Sequence, residues 1–264
     1  MITDTFTIIS QEELSPDIFQ MVLYAPQMAQ EALPGQFVDI YCSSKDKLLP
    51  RPISLFDADP AEGTLSLIYA VVGKGTEEIS SMAEGDTIRV TGPLGHGFPL
   101  EQACRMEEIF LVGGGLGIPP MYLLARRLHS LYPEKPIRVF LGFRSEPWIG
   151  EIFSAFGKVL PSSDDGACGF KGTVIDRMKN YLDTADAGSR ILYACGPIPM
   201  MRAIQSFASE HGIETWFSLE ERMGCGFGAC YGCPARLRTE DGGSVLKRVC
   251  KDGPVFPGKD VIFA

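Results

Sequence analysis

The sequence predicts a multidomain chain: an antiparallel β-barrel over residues 1–100, a doubly wound α/β domain over 101–220, and a small C-terminal subdomain over 221–264. Three features carry this reading. The first hundred residues alternate short runs rich in Val, Ile, Phe and Tyr with turn signals, the pattern of a small barrel or sandwich. From Glu108 the rhythm changes to apolar strands separated by helical stretches, which implies parallel βαβ units. The last 44 residues follow neither rhythm and are rich in Gly and Cys.

In the first domain, strands are expected at 6–9, 18–24, 36–41, 53–56, 65–72 and 87–90, where β-branched and aromatic residues dominate. Ala25-Pro26, Pro34-Gly35, Pro50, Glu62-Gly63 and Glu84-Gly85-Asp86 punctuate them. After the glycine-rich turn at 92–97, residues 108–112 read as a buried strand and 117–131 as a helix. Further strands are expected at 137–142, 158–160, 191–194 and 215–218, with a helix over 197–209 before the last.

The composition, 45% hydrophobic and 22% charged over 264 residues, is that of a globular protein and excludes a disordered chain. A net charge of −9 argues against duplex nucleic acid and against an anionic membrane surface as partners. The first ten residues carry no basic residue, so no signal peptide is expected. Residues 109–125 are uncharged, but glycines and prolines break them and they are too few to span a bilayer. A cytoplasmic location is therefore expected. There thiols stay reduced, and the eight cysteines count as metal ligands before disulfides.

Four of them stand out. Cys225, Cys230, Cys233 and the distant Cys250 have the C-x4-C-x2-C…C spacing of a plant-type [2Fe–2S] site. Such a site needs a tight loop whose amides point at the sulfurs, and Gly224, Gly226, Gly228 and Gly232 permit it. Residues 221–264 carry seven basic against five acidic residues, which offsets the negative charge of a thiolate-bound cluster. Structural zinc on four cysteines is the alternative, although zinc favours two separate Cys pairs.

Gly113, Gly114, Gly115 and Gly117 lie between a strand and a helix, where bare backbone receives a dinucleotide pyrophosphate. The spacing departs from G-x-G-x-x-G and no acidic ribose reader follows, so NAD and NADP both stay open, as does a plain turn. Arg51, Pro52, Ile53 and Ser54 begin a barrel strand, where Arg51 is suited to fork onto a phosphate and Ser54 to hydrogen-bond a ring nitrogen. A solvated strand end is the alternative. Gly73-Lys74-Gly75-Thr76 lacks the order of an ATP phosphate loop and leaves only a small backbone nest. Cys195 ends a strand at the edge where doubly wound folds bind ligands, either facing a nicotinamide or buried in the core.

Taken together, RPIS at 51–54, GKGT at 73–76, GPLGHGF at 92–98, GGGLGIPP at 113–120 and CGP at 195–197 resemble the ferredoxin–NADP reductase superfamily. The tail SLEERMGC at 218–225, continuing GFGACYGC to 233, is similar to the electron-transfer subunits of type B dihydroorotate dehydrogenases. This resemblance covers essentially the whole chain. It implies an FAD held by Arg51, Pro52, Ile53, Ser54, Ile68, Tyr69, Ala70, Gly75 and Thr76, and an NAD near Gly113 to Gly117 and a catalytic Cys195. It also implies a [2Fe–2S] cluster on Cys225, Cys230, Cys233 and Cys250. The implied partner is a catalytic FMN-containing dihydroorotate dehydrogenase subunit, in a two-plus-two heterotetramer of pyrimidine (UMP) biosynthesis. Electrons would pass from its FMN through cluster and FAD to NAD+, because a nicotinamide exchanges hydride whereas a cluster takes one electron. Rival expectations are a flavin and iron–sulfur subunit of a hydrogenase or transhydrogenase complex, and a zinc-stabilised nucleotide-binding regulator. The tail is too short for the fused ferredoxin domain of an oxygenase reductase.

Overall fold

The structure is a computed structural model and describes residues 1–44 and 46–263. Its strands are β1 (Ile2–Ser15), β2 (Ile18–Tyr24), β3 (Phe37–Tyr41), β4 (Arg51–Asp59), β5 (Thr64–Ala70) and β6 (Thr87–Leu94), with two short helices, α1 (Pro26–Glu31) and α2 (Lys74–Ser80), between them. The strands close an antiparallel barrel in the order β1-β2-β5-β4-β3-β6. Closure gives every strand two neighbours, and alternate residues such as Ile8, Met21, Leu23, Val38, Ile40, Leu55, Leu65, Leu67 and Val90 are completely buried.

The chain continues through β7 (Glu108–Gly114), α3 (Pro120–Leu131), β8 (Ile137–Phe143), β9 (Lys158–Ser163), β10 (Phe170–Lys171), α4 (Val174–Leu182), β11 (Arg190–Cys195), α5 (Ile198–Glu210) and β12 (Glu214–Ser218). It ends with β13 (Pro234–Arg238), β14 (Ser244–Arg248), α6 (Val249–Asp252) and β15 (Val255–Pro257). The sheet order is β10-β9-β8-β7-β11-β12-β15, parallel except for β15. Ile109, Leu111, Val139, Leu141, Ile191 and Tyr193 form its core together with Leu124 and Leu128 of α3. The buried Tyr193 hydroxyl donates to the Pro99 carbonyl at 2.9 Å, so burial leaves no orphaned donor there. Strands after β7 run first to one side and then, from β11, to the other. This reversal opens the crevice of a doubly wound sheet at the carboxyl ends of β7 and β11.

The structure divides into two compact units. Met1–Gly97, Glu220–Ala235 and Leu246–Pro254 form the first, and Phe98–Leu219, Arg236–Val245 and the residues from Val255 form the second. Every strand and both helices expected from the sequence are present; α1, α2, α4, α6, β10, the β13–β14 hairpin and β15 were not expected. No helix among the described residues is long and apolar enough to cross a membrane.

Candidate redox-cofactor sites

The barrel wall has a gap. β4 and β5 pair from Leu55↔Leu67 to Asp59↔Thr64, with a register break between Leu55 and Asp57. Among the described residues, Arg51 to Ser54 pair only with β3, and Ile68 to Ala70 only with β2. The two segments singled out in the sequence thus flank the gap with one free strand edge each. Arg51, Pro52, Ile53, Ser54 and Ala70 are half-buried, whereas Ile68 and Tyr69 are buried. The Tyr69 ring stacks on Phe19 and its hydroxyl donates to Gln11 at 3.2 Å, so what it offers to the gap is backbone.

The Arg51 side chain lies on the bare backbone of Gly75. A Cβ at Gly75 would fall 1.9 Å from Arg51 Nε. The Thr76 hydroxyl closes the adjacent turn, accepting from the Val72 and Gly73 amides at 2.9 and 3.2 Å and donating to the Gly73 carbonyl. A guanidinium against glycine backbone, at the end of an open strand pair, suits the phosphates of a flavin nucleotide.

In the sheet, Gly113 and Gly114 end β7, and the chain turns through Gly115 to Gly117 into α3. A Cβ at Gly117 would lie 2.3 Å from the carbonyl carbon and oxygen of Cys195, so only glycine lets the two strand ends meet. Gly113 and Cys195 are register partners. The structure therefore gathers the glycine turn and Cys195 at the crevice. The Cys195 thiol itself is fully buried among core residues, and its backbone, not an exposed sulfur, forms this end of the crevice.

The four cysteines fall into two pairs, Cys225 with Cys230 and Cys233 with Cys250, each linked by a hydrogen bond between side chains. Amides point at the sulfurs: Ala229 N–H to Cys225 at 3.2 Å, Gly232 N–H to Cys230 at 3.4 Å, and Cys250 N–H to Cys233 at 3.5 Å. Four cysteines, with amides aimed at three of the sulfurs, suit a binuclear cluster that takes two thiolates per iron. Burial opposes ionisation of Cys225, yet bonds from the amides of Cys230, Phe227 and Ala229 and from the Cys230 thiol outweigh it and bring the thiol down to about 6. Burial, reinforced by the Cys233 hydrogen bond, pushes Cys250 up to about 12.

Two residues that sequence reasoning missed hold this loop. Asp39 on β3 is fully buried with no hydrogen-bond partner on either oxygen among the described residues, and its Oδ2 would lie 1.6 Å from a Cβ on Gly226, whose φ is +73°. Burial, with the nearby Cys225 charge second, raises its carboxyl to about 7. A lone acid in the apolar run 37–41 is the signal that marked it. Arg248 donates to the Gly228 carbonyl at 2.7 Å, pairs with Asp252 at 3.3 Å and lies 4.6 Å over the Tyr231 ring, tying the loop to the segment that carries Cys250. It lies within a basic stretch, and nothing in the sequence distinguishes it from its neighbours.

Comparisons with known proteins agree with this geometry. Residues 5–98 match an oxidoreductase FAD-binding domain, 111–206 an oxidoreductase NAD-binding domain, and 220–262 the iron-sulfur cluster binding domain of dihydroorotate dehydrogenase B. The dihydroorotate dehydrogenase B (NAD(+)) electron transfer subunit of Bacillus cereus strain B4264 is 39% identical over 97% of this chain and 96% of the relative. Its namesake from Bacillus mycoides strain KBAB4 is 38% identical over the same shares. A chain of an NADH-dependent reduced ferredoxin-NADP oxidoreductase superposes with a TM-score of 0.82 at 31% identity, covering 97% of this chain and 89% of that one. A ferredoxin NADP+ reductase from Neisseria gonorrhoeae, at 16% identity and a TM-score of 0.64 over 82% of this chain and 99% of that one, shares the fold. With the tail and both preceding domains matched and full-length relatives well above 30% identity, the chain belongs to the family of dihydroorotate dehydrogenase B electron transfer subunits.

Proposed function

We propose that this chain carries electrons between the FMN of a catalytic dihydroorotate dehydrogenase subunit and NAD+, as one half of a two-plus-two heterotetramer in the cytoplasm. The observation that carries the reading is the two-by-two set of thiols on the same compact unit as the gapped barrel. FAD supplies the exchange between hydride and single electrons.

The residues divide the work. Arg51, Gly75 and Thr76 hold the flavin's phosphates. Pro52, Ile53 and Ser54, with the backbone of Ile68, Tyr69 and Ala70, hold its ring across the gap. Gly113, Gly114, Gly115 and Gly117 receive the dinucleotide's pyrophosphate, and the Cys195 backbone walls the nicotinamide end. Cys225, Cys230, Cys233 and Cys250 ligate the irons, and the amides of Ala229, Gly232 and Cys250 spread the cluster's charge. Hydride transfer itself needs no acid or base, but two single electrons make a hydride only with one proton, which solvent would supply or, in the reverse direction, receive.

The test is an anaerobic titration of the purified chain with NADH, followed by absorbance. Bleaching of flavin and then of cluster supports the reading; a chain that binds FAD but never reduces it with NADH overturns it. The 31% identity to the oxidoreductase chain keeps a second reading, a subunit of another NAD(P)-linked complex. Copurification separates the two: a partner that reduces the cluster with dihydroorotate supports the first, and one inert to dihydroorotate favours the second.

A further inference from the structure

A polar knot on the first unit lies outside every residue assigned above. Glu78, near the end of α2, is only partly exposed, and its carboxylate takes five donors from the segment leading to Arg51. Oε1 accepts from the Ser43 amide at 2.6 Å, the Ser43 hydroxyl at 3.0 Å and the Ser44 amide at 3.2 Å. Oε2 accepts from the Ser44 hydroxyl and from Lys47 Nζ, the latter at 2.8 Å. These bonds hold the carboxyl well below the usual carboxylate range, led by those from Lys47 and Ser44.

The knot has a directional consequence. Gly75 and Thr76 sit one turn before Glu78 on the same helix, and Arg51 ends the segment that Glu78 grips. Cys42 adds a weaker tie, its thiol donating to the Gly75 carbonyl at 3.5 Å, and Arg51 itself donates to the Leu49 carbonyl. Two pieces of chain distant in sequence must meet for the Arg51 guanidinium to lie on Gly75. A flexible approach loop would lose conformational entropy each time a ligand ordered it, whereas one already ordered loses none.

We propose that Glu78 is a positioning residue for flavin binding, which by gripping Ser43, Ser44 and Lys47 pre-sets Arg51 against Gly75 for the flavin's phosphates. The inference rests on the reading of the barrel as the FAD site. It assigns Glu78 no contact with the flavin, so its effect belongs to the phosphate end alone.

The test uses the full chain with its cluster in place and its flavin removed, measuring binding of FAD, and of riboflavin, which has no phosphate, by flavin fluorescence. Glu78→Gln keeps the side-chain length but loses the charge and the Lys47 pair; Ser44→Ala is a milder second variant that removes one donor. The expected result is FAD binding at least about tenfold weaker in Glu78→Gln, the equivalent of about 1.4 kcal/mol, and a smaller loss in Ser44→Ala, with riboflavin affinity and the cluster's electron paramagnetic resonance spectrum unchanged. Unchanged FAD affinity in both variants overturns the inference alone. Equal weakening of FAD and riboflavin also overturns it, since that marks general loosening of the barrel. A wild-type chain that binds no FAD overturns the barrel reading, and the inference with it.

Discussion

Gly117 and Gly75 both lack room for a Cβ, yet alanine should act differently at each. The neighbours of Gly117 are the carbonyl carbon and oxygen of Cys195, backbone atoms fixed by two parallel pairings, which cannot step aside. Gly117→Ala should force β7 and β11 apart at their carboxyl ends, at about 1–3 kcal/mol. We expect NADH binding, measured by calorimetry, to weaken about tenfold or more while flavin and cluster absorbance persist. At Gly75 the obstructing atoms are the far end of the Arg51 side chain, which can swing away. Gly75→Ala should therefore leave the melting temperature nearly unchanged and weaken FAD, as read by flavin fluorescence. Arg248→Ala removes the bond to the Gly228 carbonyl, the Asp252 pair and the cover over Tyr231 together. Loss of the visible cluster absorbance to a chelator should be severalfold faster, with Arg248→Lys in between because lysine keeps the charge but not the planar fork.

Helix α4 shows what a short motif does for an element. Thr173 caps it: its hydroxyl accepts from the Asp176 amide at 3.3 Å, and the Asp176 carboxylate accepts from the Thr173 amide at 3.0 Å and hydroxyl at 2.6 Å. Thr173→Ala should lower stability by about 1 kcal/mol, or about 2–4 °C in melting temperature for a chain of this size. The Thr173 hydroxyl bond, ahead of the amide bond, holds the Asp176 carboxyl below its ordinary value. A depressed carboxylate stabilises the fold above its unfolded pKa and loses that contribution as pH falls through the folded one. The melting-temperature gap between wild type and Asp176→Asn should thus be full at pH 6 and shrink below about pH 4. Sequence periodicity passed over this helix because only Val174 and Met178 of its residues are buried, too few to make an apolar stripe. Its Thr-x-x-Asp start was the legible signal.

At the scale of the molecule, the C-terminal residues act as part of the second unit. β15 pairs antiparallel with β12, Val255, Phe256 and Val261 are almost fully buried, and Gln205 donates to the carbonyls of Gly258 and Val261 at 2.5 and 2.7 Å. Deleting residues 255–264 would uncover β12 as an edge strand and forfeit roughly 5 kcal/mol or more of apolar burial. Calorimetry and trypsin digestion should show the second unit melting earlier and cut sooner, while the cluster, whose proposed ligands all lie in the first unit, keeps its absorbance.

The barrel strands, the βαβ rhythm and the iron-sulfur character of the tail were legible in the amino-acid order, because each rests on local chemistry: β-branched runs between turns, apolar strands between helices, cysteines at fixed spacing. Which thiols pair, which strand edges stay free beside Arg51 and Ile68, and that Cys195 buries its sulfur were decided only by folding. So were the surroundings of Asp39, Glu78 and Arg248, since each meets segments far along the chain and a lone charged residue looks alike whether it lies against a loop or faces water. Burial and long-range hydrogen bonding depend on which distant segments meet in space, and no local pattern records that.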